Sequence, residues 1–236
     1  MHMDETQITQ QKLQSSRFST ERERMMAAAE ERLLSTDREF TAAYTVLKEQ
    51  NKTVTFFGSA RSKEDNQYYQ KARQFAKNLS LDGYAIVTGG GGGIMQAANQ
   101  GAHDVMGASI GFNIQLPQEQ TLNPYVNQKS SFHYFFARKV MLTFYANALV
   151  VFPGGFGTID EMSEVLTLIQ TKKIPRVPII LIGVDFWTDF DAFIKKHMLY
   201  ENDLISPGDE TLYTITDDLE EARQLINNFV QPELTQ

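Results

Sequence analysis

Short apolar runs alternate with longer segments of helical spacing along most of this chain, from about residue 53 onward. Several of the runs are apolar throughout rather than alternating, which is typical of strands buried on both faces of a parallel sheet. Glycine, proline or polar residues end each run. The predicted strands cover residues 53–57, 84–88, 107–112, 148–152 and 177–183, with a short edge strand at 211–215.

Amphipathic segments fill the intervals between these strands. The predicted helices cover residues 68–81, a segment from Ile94, a segment reaching Tyr145, a segment from Ile159, and residues 187–198 and 217–230. Strands and helices that alternate through right-handed crossovers predict an α/β fold with a doubly wound parallel sheet. In the helix at 187–198, Trp187, Phe190 and Phe193 are expected in the core.

Residues 113–129 contain two prolines and show no clear period. We therefore expect a long irregular loop there, of the kind that is usually functional or disordered.

The first 50 residues differ from the rest of the chain in composition. They lack glycine and proline from about Thr6 and are rich in Gln, Glu, Arg and Ala. This composition predicts an N-terminal helical extension over residues 1–50, with a frayed segment followed by a docked helix, ahead of a domain at 51–236. The positions expected to dock are Leu33, Leu34, Phe40, Ala43, Tyr44 and Leu47.

The turn after the strand at 148–152 reads Pro153-Gly154-Gly155-Phe156-Gly157-Thr158 and leads directly into a helix. Such a turn brings unpaired backbone N–H groups and the positive end of a helix dipole close to a ligand, which suits a phosphate or carboxylate. A structural alternative exists for Glu161, because Thr158-x-x-Glu161 also has the spacing of a capping box. The local sequence leaves both interpretations open.

Two further glycine turns follow predicted strands. Gly58-Ser59 follows the strand at 53–57, where Ser59 is either a donor to a ligand or a helix cap. Five successive glycines at 89–93 follow the next strand. They do not complete a dinucleotide fingerprint, and no Gly-Lys-Ser/Thr of a P-loop follows. All three turns are expected at the carboxyl edge of the sheet.

The composition narrows the range of possible functions. The net charge of −7 and the sequence pI near 5.2 argue against a nucleic-acid polymer as partner and leave room for one nucleotide. The chain has no cysteine, and its four histidines lack metal-ligand spacing, so no metal site is predicted. The N-terminus has no secretory pattern and the apolar runs are too short to cross a bilayer, which predicts a cytoplasmic protein without membrane contact.

Arg138 and Lys139 lie next to each other on the helix that precedes the strand at 148–152. Adjacent residues of a helix point in different directions, so at most one of the two is expected to enter a site. His133, near the start of this helix, is interpreted as a structural hydrogen-bonding residue rather than a base.

These residues together resemble the LOG (Lonely Guy) family of nucleoside-monophosphate phosphoribohydrolases, whose members are often labelled lysine decarboxylases. The signature Pro-Gly-Gly-x-Gly-Thr-x-x-Glu is matched without a gap from Pro153 to Glu161. The glycine turn that ends at Met95 and the Arg138-Lys139 pair match as well. The N-terminal extension resembles the longer bacterial branch of the family. The family fold is Rossmann-like.

The resemblance implies hydrolysis of the N-glycosidic bond of a nucleoside 5′-monophosphate, of the AMP or cytokinin riboside monophosphate type, to free base and ribose 5-phosphate. It implies Arg138 and Glu161 as the catalytic pair and no cofactor. The residues expected to bind the substrate are Ser59, Gly90, Gly91, Lys139, Gly154, Gly155, Gly157, Thr158 and Glu164.

Two other functions remain to be weighed. Relatives of the same fold bind nucleotides or carry the molybdenum cofactor without hydrolysis, so a non-catalytic carrier is the alternative. A lysine decarboxylase is disfavoured, because no lysine has a recognisable pyridoxal phosphate context. The family likeness and the aromatic residues at 132–145 also predict a homo-oligomer, a dimer or larger, unless those aromatics belong to the core.

Overall fold

The computed structural model describes the backbone of residues 5–115 and 121–230, and the side chains of those residues from Thr20 onward. Within this part of the chain seven strands form one parallel sheet in the order β4-β3-β2-β1-β5-β6-β7. The strands are β1 (Thr53–Phe57), β2 (Ala85–Thr88), β3 (Ser109–Ile114), β4 (Gln128–Phe132), β5 (Ala146–Val151), β6 (Ile179–Ile182) and β7 (Thr214–Thr216). The α/β doubly wound, Rossmann-like prediction is confirmed.

Helices cover both faces of this sheet. They are α1 (Glu5–Leu47), α2 (Gln67–Leu81), α3 (Ile94–His103), α4 (Phe135–Phe144), α5 (Phe156–Gln170), α6 (Val184–Phe193) and α7 (Leu219–Val230). A π-helical segment, Ile194–Tyr200, continues α6, and a 3₁₀ turn spans Asp209–Thr211. One apolar core lies between the sheet and α4, α5 and α6, and the other lies between the sheet and α2, α3 and α7.

The strand order reverses direction at the centre of the sheet. From β1 the chain adds β2, β3 and β4 on one side, and then returns to place β5 on the other side of β1, followed by β6 and β7. Open parallel sheets bind ligands at this point, because the loops after the two central strands separate there and leave a crevice. The turns after β1 and β5 therefore border the expected ligand site.

The strand β4 was missed by the sequence prediction, which placed its first residues in the loop at 113–129 and the rest before a helix. Its sequence, Gln-Lys-Ser-Ser-Phe, is polar, and only alternate residues are buried. A polar strand is tolerated here because β4 lies at the edge of the sheet. Residues 116–120 of the predicted loop lie outside the described residues.

The N-terminal helix also differs from its prediction. A single helix runs from Glu5 to Leu47, with no break between a frayed and a docked part. Ala43 and Leu47 are buried against the sheet, whereas Leu33, Leu34 and Tyr44 are exposed. Helical spacing identified the helix but not the part of it that packs against the rest of the protein. The domain boundary at residue 50 stays a prediction.

Smaller differences concern the C-terminal third. Trp187 is fully buried and Phe190 packs against the core, but Phe193 is exposed, contrary to the expectation for it. The edge strand begins at Thr214 and the last helix at Leu219, a few residues later than predicted.

The buried end of α1 provides a stability test. Leu47 is 1% exposed, so Leu47→Ala should lower the free energy of unfolding by about 2–5 kcal/mol through lost burial and the cavity left behind. Leu33 on the same helix is 72% exposed, and Leu33→Ala should change the free energy of unfolding by no more than about 0.5 kcal/mol. Denaturant titration measures both, and equal effects would contradict this docking of α1.

Candidate active site

The three glycine turns meet at the carboxyl edge of the sheet, as the sequence predicted. The Ser59 backbone N–H donates to the Pro153 carbonyl at 3.0 Å, and the Ile94 N–H donates to the Ser59 carbonyl at 3.0 Å. These bonds tie together the turns after β1, β2 and β5, around a cavity of about 640 Å³. Six of the predicted site residues line it, namely Ser59, Arg138, Gly155, Gly157, Thr158 and Glu161.

The N-terminus of α5 opens on this cavity. The helix begins at Phe156 with Gly155 as its N-cap, and no side chain caps it. The Ile159 N–H is the first to bond back to the cap, to the Gly155 carbonyl at 3.1 Å. The backbone N–H groups of the first turn are thus the unpaired donors that favour an anion.

The capping-box interpretation of Glu161 is wrong. Thr158 lies inside the first turn of α5 rather than at the cap, so the reciprocal bonds of a capping box do not form. The Glu161 carboxylate instead faces Arg138 on α4, with 3.5 Å between Oε1 and Nη1.

The three glycines of the turn between β5 and α5 have different structural roles. A Cβ on Gly154 would lie 2.1 Å from Thr158 Oγ1, so Gly154 is required because the threonine packs directly on it. A Cβ on Gly155 or Gly157 would meet no atom within 4 Å, and both residues border the cavity. Gly154 therefore shapes the turn, and the other two leave its backbone accessible.

Arg138 is 7% exposed and crosses the floor of the site. Its Nε donates to the Phe112 carbonyl at 2.8 Å. A Cβ on Gly89 would lie 2.0 Å from Nη2, so a side chain there would displace the guanidinium. Burial lowers the pKa of Arg138 and Glu161 opposes that shift; an arginine nevertheless remains a cation at neutral pH.

Burial raises the pKa of Glu161 to about 7, against the opposing effect of Arg138. The carboxyl group is therefore close to half ionised at neutral pH. A carboxylate shifted in this way by desolvation, with a cationic partner in a cleft, is typical of a functional site.

Lys139 and Glu164 lie outside the lining of this cavity. Lys139 Nζ is 3.1 Å from Asp160 Oδ2 and 2.9 Å from Glu164 Oε2. Burial lowers the pKa of Lys139, but the two carboxylates raise it by more, so the amine stays charged. The predicted substrate-binding residues Lys139 and Glu164 are thus ion-paired to each other between α4 and α5.

Gly90 and Gly91 also lie beside the cavity rather than in its lining. The Asn123 N–H donates to the Gly90 carbonyl at 2.9 Å, and Asn123 Nδ2 donates to the Gly91 carbonyl at 3.0 Å. Gly90 has a φ of +73° and packs against Leu122 and Gly111. Of the five glycines, Gly89 is the one that borders the cavity.

A buried polar network beside the glycine turn after β2 was not predicted from the sequence. The Thr88 hydroxyl donates to Asn99 Oδ1 at 2.6 Å and accepts from the Gly90 N–H at 2.9 Å. Asn99 Nδ2 donates to Ser109 Oγ at 2.9 Å, and Asn123 Nδ2 donates to Asn99 Oδ1 at 2.9 Å. One signal was available, since Asn99 falls on the apolar face of a predicted helix. The network holds a glycine-rich turn in one conformation.

Other lining residues are basic or apolar. Arg61 lies on the turn after β1, whose Ser59 N–H bonds to the Pro153 carbonyl in the turn before α5. Met95, Ile114 and Phe135 supply an apolar wall on the side of β2 and β3. Apart from Met95, which ends the matched glycine turn, sequence patterns do not single out these residues, because apolar and basic residues of the same kind occur throughout the chain.

Within the described residues no cluster of histidines and carboxylates has the arrangement of a metal site. Among the described helices, none combines the length and apolar character that a membrane crossing requires.

Residues 95–226 match the family model described as "Possible lysine decarboxylase". The chain is 33% identical over 145 residues to the cytokinin riboside 5′-monophosphate phosphoribohydrolase LOG of Oryza sativa subsp. japonica, covering 59% of this chain and 58% of that protein. It is 30% identical to the enzyme LOG3 of Arabidopsis thaliana, which carries the same activity in its name, over 64% of this chain and 70% of that protein.

Two solved structures share the fold. The molybdenum cofactor carrier protein of Chlamydomonas reinhardtii superposes with a TM-score of 0.57 at 22% identity, covering 76% of this chain and 98% of that one. The molybdenum cofactor binding protein of Rippkaea orientalis gives a TM-score of 0.56 at 20% identity, with the same coverages. At these identities the likeness shows the fold alone. From the family match and the sequence identity to its curated members, the chain belongs to the LOG family, for which the lysine decarboxylase label is a misnomer.

Proposed function

We propose that this protein hydrolyses the N-glycosidic bond of a nucleoside 5′-monophosphate, to give the free base and ribose 5-phosphate. The observation that carries the proposal is the buried Arg138–Glu161 pair, at 3.5 Å, between an uncapped helix N-terminus and an apolar wall. This arrangement offers a separate environment for each part of a nucleotide.

The phosphate group belongs at the N-terminus of α5. The first-turn N–H groups, including those of Gly157 and Thr158, supply donors, and the helix dipole favours a dianion there. Ser59 and Arg61 line the same cavity from the turn after β1 and add a hydroxyl and a positive charge. A monophosphate is thus held by charge-assisted hydrogen bonds without a metal ion.

The ribose then lies over Glu161. As the bond from C1′ to the base breaks, its electron pair leaves with the base nitrogen and positive charge develops on the sugar ring. An ionised Glu161 carboxylate stabilises that charge and orients the water, whose oxygen bonds to C1′ while a proton passes to the base. Arg138 holds the carboxylate in place and contributes a cation toward the base or phosphate.

The base belongs against the apolar wall of Met95, Ile114 and Phe135. An aromatic side chain and a thioether suit a flat base. The relatives from rice and Arabidopsis are cytokinin riboside 5′-monophosphate phosphoribohydrolases by name, which supports AMP or a prenylated AMP as substrate. The reaction needs water and no cofactor, and we place it in the cytoplasm.

The alternative is a carrier that binds a nucleotide or a nucleotide-containing cofactor without cleaving it. The carrier proteins of similar fold keep this alternative open, although their likeness concerns the fold alone. The position of the buried Arg138–Glu161 pair in the cavity lining favours the enzyme, and the pKa of Glu161, raised by burial, agrees with such a role.

We further propose that the protein is at least a dimer. Phe136, Val140 and Phe144 are exposed on α4, and they continue onto a groove of about 340 Å³ between α4 and α1, which Phe40 and Tyr44 also line. Phe156, beside the cavity, is 96% exposed. An apolar surface of this extent next to a site is typical of an interface. The alternative that the aromatics at 132–145 belong to the core holds for Phe132, which is buried, but not for Phe136 and Phe144.

The first expected result concerns activity. Incubation with AMP, GMP, CMP, UMP or an isopentenylated AMP, in excess chelator, should release base that chromatography detects. The free nucleoside should react with a kcat/KM lower by roughly a hundredfold, because the phosphate supplies binding energy that is used at the reacting carbon. Tight binding of a monophosphate without release of base would favour the carrier.

The second expected result concerns the catalytic pair. Glu161→Gln preserves shape but removes the charge beside the sugar, so kcat should fall by roughly a hundredfold or more, with binding and melting temperature close to wild type. Arg138→Ala should abolish most turnover. Glu49→Gln, which neutralises an exposed carboxylate near the end of α1, is the matched control and should behave as wild type. A Glu161→Gln enzyme within a few-fold of wild type would remove the proposed centre.

The third expected result concerns assembly. Light scattering at micromolar concentration should give a mass of at least twice the 26.8 kDa of one chain. Phe144→Asp places a charge in the apolar groove and should reduce that mass, whereas Leu204→Asp, at an exposed apolar residue elsewhere, should not. A monomeric wild-type protein would contradict the proposal.

A further inference from the structure

Lys139 joins the two helices that carry the proposed catalytic pair. It follows Arg138 on α4, and its side chain is largely buried. Its Nζ lies 3.1 Å from Asp160 Oδ2 and 2.9 Å from Glu164 Oε2, both on α5. A single ammonium group with three donors therefore bridges two carboxylates of the facing helix.

The two carboxylates lie on either side of Glu161 in the sequence of α5. Asp160 and Glu164 are four residues apart, so they project from the same side of the helix, one turn from each other. Glu161 projects from the adjoining side, toward Arg138. The helix α5 is thus held at neighbouring points, at Asp160 and Glu164 by Lys139 and at Glu161 by Arg138.

The Arg138–Glu161 contact is long for an ion pair, at 3.5 Å, whereas both contacts of Lys139 are shorter. The shorter contacts of Lys139 are therefore the closer ionic links between α4 and α5. A residue that fixes helix spacing in this way acts on the reaction without touching the substrate.

We propose that Lys139 is a positioning residue, which fixes α5 against α4 through Asp160 and Glu164 and so sets the place and the charge state of the Glu161 carboxylate. The inference rests on the proposed function for its consequence on turnover. It replaces the substrate-binding role expected for Lys139 and Glu164 from the sequence.

The charges around Glu161 show why the bridge matters. Arg138 and Lys139 face it from α4, Asp160 and Glu164 lie beside it on α5, and Arg61 lines the same cavity from the turn after β1. Besides burial, Arg138 and Lys139 lower the pKa of Glu161, while Asp160 and Glu164 raise it. Loss of the Lys139 charge would leave two uncompensated carboxylates, so Glu161 would bind its proton more tightly.

The test compares Lys139→Met, Glu164→Gln and the double variant with the wild-type protein. Methionine keeps the unbranched stem of Lys139 and removes the charge. Lys71→Met is the matched control, because Lys71 makes a comparable ion pair with Asp217 at 2.6 Å, and neither residue lines the cavity. Circular dichroism and melting temperature establish that each variant is folded.

In Lys139→Met, kcat for the monophosphate should fall by roughly tenfold and KM should stay within about threefold. The acid limb of the pH profile of kcat/KM, which reports the free enzyme and is expected near pH 7 in the wild type, should move upward by about half a unit to one unit, since the ionised carboxylate forms at higher pH. Glu164→Gln should move the limb downward. The double variant should recover part of the loss, since it leaves fewer unpaired charges.

Three results would overturn the proposal. A wild-type kcat and pH profile in Lys139→Met would show that the bridge has no effect on the centre. A raised KM with unchanged kcat would make Lys139 a substrate ligand. A loss of kcat without a shifted limb, equalled by Lys71→Met, would reduce it to general stability.

The inference can fail separately from the proposed function. Glu161 is titrated by NMR in protein labelled with ¹³C at the glutamate carboxyl groups, assigned with Glu161→Gln, so no turnover is required. A higher midpoint in Lys139→Met and a lower one in Glu164→Gln would support the positioning role even in a protein that releases no base. Unchanged midpoints would overturn it even in an active enzyme.

Discussion

The site depends on the burial of a positive charge. Arg138 lies almost out of contact with solvent, and a buried guanidinium is tolerated only where its hydrogen bonds and its charge are satisfied. The Phe112 carbonyl and the Glu161 carboxylate do this, and Gly89 provides the space into which the side chain extends. One side chain therefore contacts three separate elements, which are β3, the glycine turn after β2 and the second turn of α5.

The same burial controls the chemistry available at Glu161. In water a glutamate is fully ionised at neutral pH, whereas removal from solvent raises the pKa of Glu161 to about 7 in spite of Arg138. Its carboxylate is thus less strongly solvated, which suits the proposed stabilisation of charge on a substrate. Lys139 lowers the pKa of Glu161, whereas the two carboxylates paired with it, Asp160 and Glu164, raise that pKa.

The sheet places this centre where its topology reverses. Parallel strands bring every strand-to-helix turn to one edge, and the return of the chain from β4 to β5 puts the turns after β1 and β5 side by side. At one lateral edge of the sheet, the polar strand β4 is joined to α1 by the bond from the His133 N–H to Glu39, and Gln50, just after α1, bonds to the Gln128 side chain at 3.0 Å. This docking, with the buried residues Ala43 and Leu47, gives the N-terminal helix its place.

The layer architecture, and the edge of the sheet at which the glycine turns meet, follow from the sequence alone. The apolar runs identify the buried strands, and the three glycine turns after strands indicate one carboxyl edge, because these features follow from local periodicity and backbone geometry.

Other features depend on contacts between segments that are distant in the sequence. Glu161 fits a capping box or a catalytic carboxylate equally well by spacing, and only the start of α5 at Phe156 and the approach of Arg138 from another helix exclude the cap. Lys139 likewise pairs with residues more than twenty positions away, and β4 exists because an edge of the sheet accepts a polar strand. Contacts between distant segments carry no local signal, so they are visible only once the chain is folded.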